Sequence, residues 1–216
     1  MHHNLESKNS LLSKFIAEIR SSDIQKDRMR FRRNMERIGE VFAYEISQTL
    51  QYQAKEVETP MGLATIQSCS DQVVIANILR AGIPMHYGIL NYFDQADNAF
   101  ISAYRMHHKD GSFEINLQYV SCPDLNDAVL IICDPMLATG ASMDIAIKNL
   151  LEYGTPKQMH IATAIASAPG LEYIRRIYPN AHVWTGAVDE ELTGKSYIVP
   201  GLGDAGDLSF GPKVQE

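Results

Sequence analysis

A chain of 216 residues, 45% of them hydrophobic, is long enough to bury one sizeable core, and its length points to a single domain, residues 1–216, with attachments. A formal net charge of −7 and a pI near 5.5 exclude bulk electrostatic attraction to nucleic acid or an anionic membrane, while leaving room for a small, buried anionic ligand. The cysteines Cys69, Cys122 and Cys133 form no CxxC pair and are odd in number. With no signal-like start and no apolar run near the roughly 20 residues of a membrane span, a reducing cytoplasm is the expected compartment.

In chain order, Leu11, Leu12, Phe15, Ile16 and Ile19 share one helical stripe, and Ile38, Val41, Phe42, Ile46 and Leu50 share another, which predicts a helical N-terminal part over 1–54. The segment KEVETPMGLATIQ has a turn at Pro60 to Gly62 between two extended runs. It predicts a projecting β-arm over 55–68 whose free edge suits pairing with a second copy of the chain.

From residue 73 onward the apolar runs VVIANIL, AFISAY, AVLIIC, HIATAIA and AHVWTGAV alternate with helix-length segments at 83–93, 142–153 and 170–178. This rhythm predicts an α/β core over 73–216, a mainly parallel sheet flanked by helices, whose ligands bind at the carboxyl ends of the strands. One stretch, RMHHKDGSFEINLQYV, interrupts it and predicts an inserted flap hairpin within 106–122, able to cover a site and exclude water.

The run AVLIICDPMLATGASMDIAI sets an apolar strand before Asp134, Pro135, Met136, Leu137, Ala138, Thr139, Gly140, Ala141 and Ser142, and then the first turn of an amphipathic helix. Small residues let backbone N–H groups close around a phosphate, the Thr and Ser hydroxyls add donors, and the helix N-terminus adds partial positive charge. No lysine follows the glycine, so the nucleoside-triphosphate pattern GxxxxGK[ST] is missing and a single terminal phosphate is the better guest. Asp134, some residues upstream, is placed to accept from ribose hydroxyls. The bland alternative is an ordinary strand-to-helix turn with Ser142 as its cap.

Arg80 follows VVIANIL and Arg105 follows AFISAY, so both are expected at carboxyl strand ends, where guanidinium forks suit a pyrophosphate. Near the C-terminus, Tyr197 to Asp207 runs from a short strand into a glycine-dense loop with two acids. Backbone donors and acceptors fixed in such a loop can read the acceptor, donor, acceptor edge of uracil and reject cytosine.

Together, Ile78-Leu79-Arg80-Ala81-Gly82, Asp134 to Ser142 and Tyr197 to Asp207 resemble, in order, the signature segments of uracil phosphoribosyltransferases. The resemblance covers at least residues 73–211. It implies a type I phosphoribosyltransferase fold and the reaction of uracil with 5-phosphoribosyl 1-diphosphate to give UMP and diphosphate, with Mg²⁺ carried on the diphosphate of the substrate. It further implies that Arg80 and Arg105 hold diphosphate, that Asp134 through Ser142 hold the ribose 5-phosphate, and that Ile198, Gly203, Asp204 and Ala205 bind uracil. Asp204, which also faces the donor, and Arg105 are the implied catalytic residues. A homodimer or higher homo-oligomer is the implied assembly, and GTP, an effector in some members, is an implied candidate regulator.

Three positions depart from the family pattern. Ala141 replaces a usual second glycine, Leu208 stands where a basic residue is common, and the flap lacks a lysine near Ser121, leaving His107, His108 and Lys109 to supply charge there. A competing reading, a nucleotide-sensing RNA-binding regulator on the same fold, rests on Lys26, Arg28, Arg30, Arg32, Arg33 and Arg37. The acidic overall charge and the intact pyrimidine loop favour the enzyme.

Overall fold

The computed structural model describes residues 1–107 and 113–213, with side chains described outside 103–118. The chain opens with a short strand, β1 (His2–Asn4), then α1 (Leu12–Arg20), α2 (Arg28–Ser47) and a hairpin of β2 (Tyr52–Thr59) and β3 (Gly62–Cys69). There follow β4 (Val73–Leu79), α3 (Ile83–Leu90), β5 (Asp97–His107), β6 (Phe113–Ser121), β7 (Val129–Cys133), β8 (Met136–Leu137) and α4 (Ala141–Leu150). The remainder comprises β9 (Gln158–Ser167), α5 (Ala168–Ile177), β10 (His182–Asp189), β11 (Glu191–Leu192), β12 (Ile198–Val199) and α6 (Ala205–Phe210).

One eight-stranded sheet runs β1-β10-β9-β7-β4-β5-β6, with β8 beside β9. Its pairings are parallel except for the β5/β6 hairpin. Successive strand residues face opposite sides, so the apolar runs feed two cores. Val73, Ile75, Val129, Ile131 and Cys133 face the layer of α1, α2 and α3, where Ile19, Met35, Ile38, Phe42 and Met85 are buried. On the other face Val74, Ala76, Ile78, Leu130 and Ile132 meet Met143, Ile147 and Leu150 of α4 and Leu171 and Ile174 of α5. The expected architecture is therefore the observed one.

Strand β1 carries no pattern by which a sequence reader would find it. It forms because three residues pair in parallel with Val183, Trp184 and Thr185, and because the His3 ring stacks on Trp184 at 3.9 Å between centroids. The β-arm begins at Tyr52, ahead of the expected 55, because its base is drawn together by Gln51 N–H donating to Asp71 Oδ2 at 2.7 Å and Ser70 N–H donating to Gln51 O at 3.0 Å. Along it Met61, Leu63 and Ile66 stand exposed.

The basic run of α2 is not a free cationic face. Arg30 forms a two-pronged pair with Glu18 of α1 at 2.8 and 3.0 Å, Arg33 meets Glu36 at 2.7 Å, Arg32 donates to Ser209 O at 2.7 Å, and Arg37 donates to Asn34. Hydrogen bonds from Arg30 and then Asn34 hold the Glu18 carboxyl down to about 2. Arg30 thereby fastens α2 to α1 and Arg32 fastens it to the C-terminal segment, while acids offset the charge of Arg30 and Arg33, so little of the run is left as the open cationic face an RNA-binding reading needs.

Candidate active site

Strand β7 ends at Cys133, and the loop after it is tied to its neighbour β9 at several points. Asp134 N–H donates to Ala162 O at 3.2 Å, Pro135 O accepts from Ile165 N–H at 3.0 Å, Met136 and Leu137 form β8 against β9, and Ser167 Oγ donates to Ala138 O. A loop bonded along one side leaves its other side available. Asp134, Thr139, Gly140 and Ser142 line a small cavity there.

Gly140 adopts a left-handed φ of 83° and caps α4 without a side-chain bond. A Cβ at this position would lie 2.8 Å from Tyr173 Cδ1 and 3.1 Å from Ile174 Cγ1, so both torsion and space call for glycine. Ala141 is the first residue of α4. Among the described residues the non-glycine positive φ values belong to Asp127 and Ser196, so Ala141 fits the loop without the strain expected of a lost glycine. Thr139 Oγ1 accepts from Ala141 N–H at 3.3 Å, whereas Ser142 lies inside the first turn and is not the cap.

Helix α4 is held by a buried polar group. Asp144 accepts from Lys148 at 2.8 Å, from Tyr178 OH at 2.7 Å and from Tyr173 OH at 3.1 Å. Burial opposes its ionisation, but these donors outweigh it and hold its pKa below the ordinary value. The pattern of α4 and α5 gave no sign of this network, because tyrosines facing solvent and tyrosines facing a carboxylate read alike in sequence.

Arg80 stands just past β4, the strand beside β7. Its Nη2 donates to Asp207 Oδ1 and to Gly211 O, both at 2.7 Å. Arg105 does not follow its strand as expected. β5 continues to His107 as the hairpin partner of β6, and Arg105 pairs with Ile115, three residues past Ser102, which is the last β5 residue paired with β4. Its backbone therefore lies beyond the carboxyl edge of β4, while its side chain, with that of His107, falls outside the description, as do His108 and Lys109 entirely.

The C-terminal loop meets the Arg80 turn. Asp204 caps α6 by accepting from Asp207 N–H at 2.9 Å, and a Cβ on Gly206 would lie 3.1 Å from Asp204 Oδ1, 3.6 Å from Arg80 Nε and 3.9 Å from Ala81 Cβ. Asp204, Arg80 and Asp207 are thus one cluster. Ile198 and Ala205 turn their side chains into the core, so whatever they offer a ligand comes from backbone, while Gly203, at φ 96°, borders open space. Asp207 was the residue missed: its signal was only a second acid three positions after Asp204.

An α/β sheet with a glycine-turned loop at the carboxyl end of one central strand and an arginine at the end of its neighbour has the layout in which open α/β proteins, as a class, bind ligands along that edge. The uracil phosphoribosyltransferase family matches residues 6–212. A uracil phosphoribosyltransferase from Porphyromonas gingivalis is 52% identical over 212 residues, 98% of each chain, and one from Thermococcus gammatolerans is 37% identical over 208 residues, 94% of this chain and 92% of that one. A solved protein structure from Aquifex aeolicus superimposes with a TM-score of 0.89 at 28% identity, covering 99% of this chain and 100% of that chain. The chain belongs to the uracil phosphoribosyltransferase family.

Proposed function

We propose that the chain transfers the phosphoribosyl group of 5-phosphoribosyl 1-diphosphate to uracil, giving UMP and diphosphate. The observation that carries this reading is the convergence of Arg80, Asp204 and Asp207 at the end of β4, beside the Asp134–Ser142 loop at the end of β7. In it, the 5-phosphate occupies the Thr139–Ser142 cradle, the ribose hydroxyls face Asp134, and the diphosphate faces Arg80 and Arg105. Mg²⁺ arrives as part of the substrate, and with diphosphate oxygens among its ligands it needs few carboxylates from the protein.

The bond from the anomeric carbon to diphosphate breaks as uracil N1 bonds to that carbon and loses its proton. The protein contributes position and charge: guanidinium groups stabilise the leaving diphosphate, and Asp204 takes the N1 proton or balances positive charge growing on the ribose. The exposed apolar residues of the β-arm support pairing with a second copy, read by light scattering on the eluting protein. Among the described residues, no helix is long and apolar enough to cross a membrane, which is compatible with work in the cytoplasm.

The test is to supply the protein with Mg²⁺, 5-phosphoribosyl 1-diphosphate and, separately, uracil, cytosine, hypoxanthine or orotate, and to follow nucleotide monophosphates by chromatography. UMP from uracil alone is expected. Product from another base, or from none, overturns the reading. The same assay with and without GTP reads activation by that nucleotide.

A further inference from the structure

The loop proposed to read the base does not support itself. Its central residue, Gly201, is held from both sides of its own backbone. Its N–H donates to Asp189 Oδ2 at 2.8 Å, and its carbonyl accepts from Arg20 Nη1 at 3.1 Å. Arg20 and Asp189 in turn form a fork, Nη1 to Oδ2 and Nη2 to Oδ1, each at 2.8 Å. Asp189 ends β10 and is buried, and Arg20 ends α1 with most of its side chain covered. Gly201 has φ 57°, and a Cβ there would sit 2.2 Å from Ile198 O, so the loop depends on an unusual backbone conformation at the residue being held.

A second tie lies one residue on. With its amide nitrogen turned toward the two carbonyls, Gln25 donates to Leu202 O and to Ile19 O, each at 2.9 Å. The apolar side chains of the segment, Ile198, Leu202 and Ala205, sink into the same core as α1 and α2. Gly203 on the other side borders open space. The segment is therefore bonded on one side by residues at the end of α1 and just after it, and free on the other.

We propose that Arg20 and Asp189, assisted by Gln25, are positioning residues for base selection. Resting on the phosphoribosyl-transfer reading, the inference gives the N-terminal helices a task in the chemistry: they fix the backbone donors and acceptors that meet the pyrimidine edge. A paired guanidinium suits this because it bonds two carboxylate oxygens and a carbonyl at once in one plane, which an ammonium cannot reproduce. Neither residue touches the substrate, so the effect must pass through Gly201 and Leu202.

The experiment compares Arg20→Lys and Gln25→Leu with the unaltered chain, measuring KM for uracil, KM for 5-phosphoribosyl 1-diphosphate, kcat, and the uracil preference, read as the ratio of the inhibition constant of cytosine to KM for uracil. Arg20→Lys is expected to raise KM for uracil about ten-fold and lower the uracil preference, the size of change that loss of a charged hydrogen bond brings, with KM for the donor within about two-fold. Gln25→Leu shifts the same two quantities in the same direction by less. Should Arg20→Lys fail to fold, Gln25→Leu decides, since it leaves the buried charge pair intact. Equal changes in both KM values, a fall in kcat alone, or no change in either variant overturns the proposal. An unaltered chain that forms no UMP overturns the transfer reading itself.

Discussion

Arg80 and Asp207 lie 127 residues apart in sequence, yet Arg80 Nη2 and Asp207 Oδ1 are 2.7 Å apart. The pair joins the end of β4 to α6, next to the residue whose carboxylate caps that helix, Asp204. In the proposed reaction the diphosphate would meet a side chain already oriented. Arg80→Lys keeps the charge and loses the fork, so KM for the donor is expected to rise about ten-fold or more with little change in KM for uracil, as read by initial rates with each substrate varied in turn.

Asp204 can be tested without disturbing the helix it caps. Asparagine ranks with aspartate as an N-cap, so Asp204→Asn retains the bond to Asp207 N–H and removes only the charge. Turnover is expected to fall about a hundred-fold or more, the scale of a lost proton-transfer or charge-stabilising group, with donor binding far less affected. Unchanged turnover removes Asp204 from the mechanism. Asp204→Ala should in addition lower stability by about 1 kcal/mol, because the cap is lost.

Gly140→Ala forces a methyl group into a left-handed residue and against Tyr173. The torsion alone costs about 1–2 kcal/mol, which for a chain of this size corresponds to several degrees in Tm. KM for the donor should rise as well. Adding Tyr173→Ala removes the nearest clash but not the torsional strain, so the double variant should recover part of the donor binding that Gly140→Ala loses.

Acid should destabilise the fold through His160. Trp184 Nε1 donates to His160 Nδ1 at 3.0 Å, so that nitrogen must carry no proton in the folded chain. Burial, reinforced by His182 and His3 nearby, pulls the imidazole from 6.5 to about 3. Between those values the unfolded chain binds a proton that the folded chain does not, so stability is full above about pH 6.5 and declines as pH falls toward 3. Trp184 is the sole tryptophan, and thermal unfolding followed by its fluorescence from pH 7 to pH 4 reads the decline directly. His160→Gln should flatten the slope; an identical slope assigns the loss to other groups.

The strands, the helices between them, the β-arm and the glycine-turned loop before α4 were legible because each is local: an apolar run, a 3.6-residue stripe, or a glycine before a helix tells its story within about a dozen residues. What sequence could not show is pairing across the chain. Arg20 with Asp189, Arg80 with Asp207 and the Asp144 group with Tyr173 and Tyr178 each join residues from distant positions, and β1 is a strand only because β10 stands beside it. The end of β5 was misjudged for the same reason: hydrogen bonds to β6, not its own residues, carry it past Arg105 to His107. The basic run of α2 left a second reading open, since a series of arginines reads as a cationic face until the acids that meet them, Glu18 from α1 and Glu36 from α2 itself, are known.

The ties between the first helices and the last loop set an order of events during synthesis. Arg20 finds its carboxylate 169 positions later and Arg32 finds Ser209 177 positions later. At about 5–20 residues per second, a ribosome leaves these arginines without their partners for roughly ten to thirty-five seconds. A nascent chain stopped after β9 would already hold the strand and helix around Gly140 and the Glu18–Arg30 pair between α1 and α2, yet would lack the partners of Arg20 and Arg32. Assembly of the Arg80 cluster is consequently among the last events of maturation, and a product shortened by a dozen residues at its C-terminus should accumulate as a partly docked species that chaperones and proteases recognise.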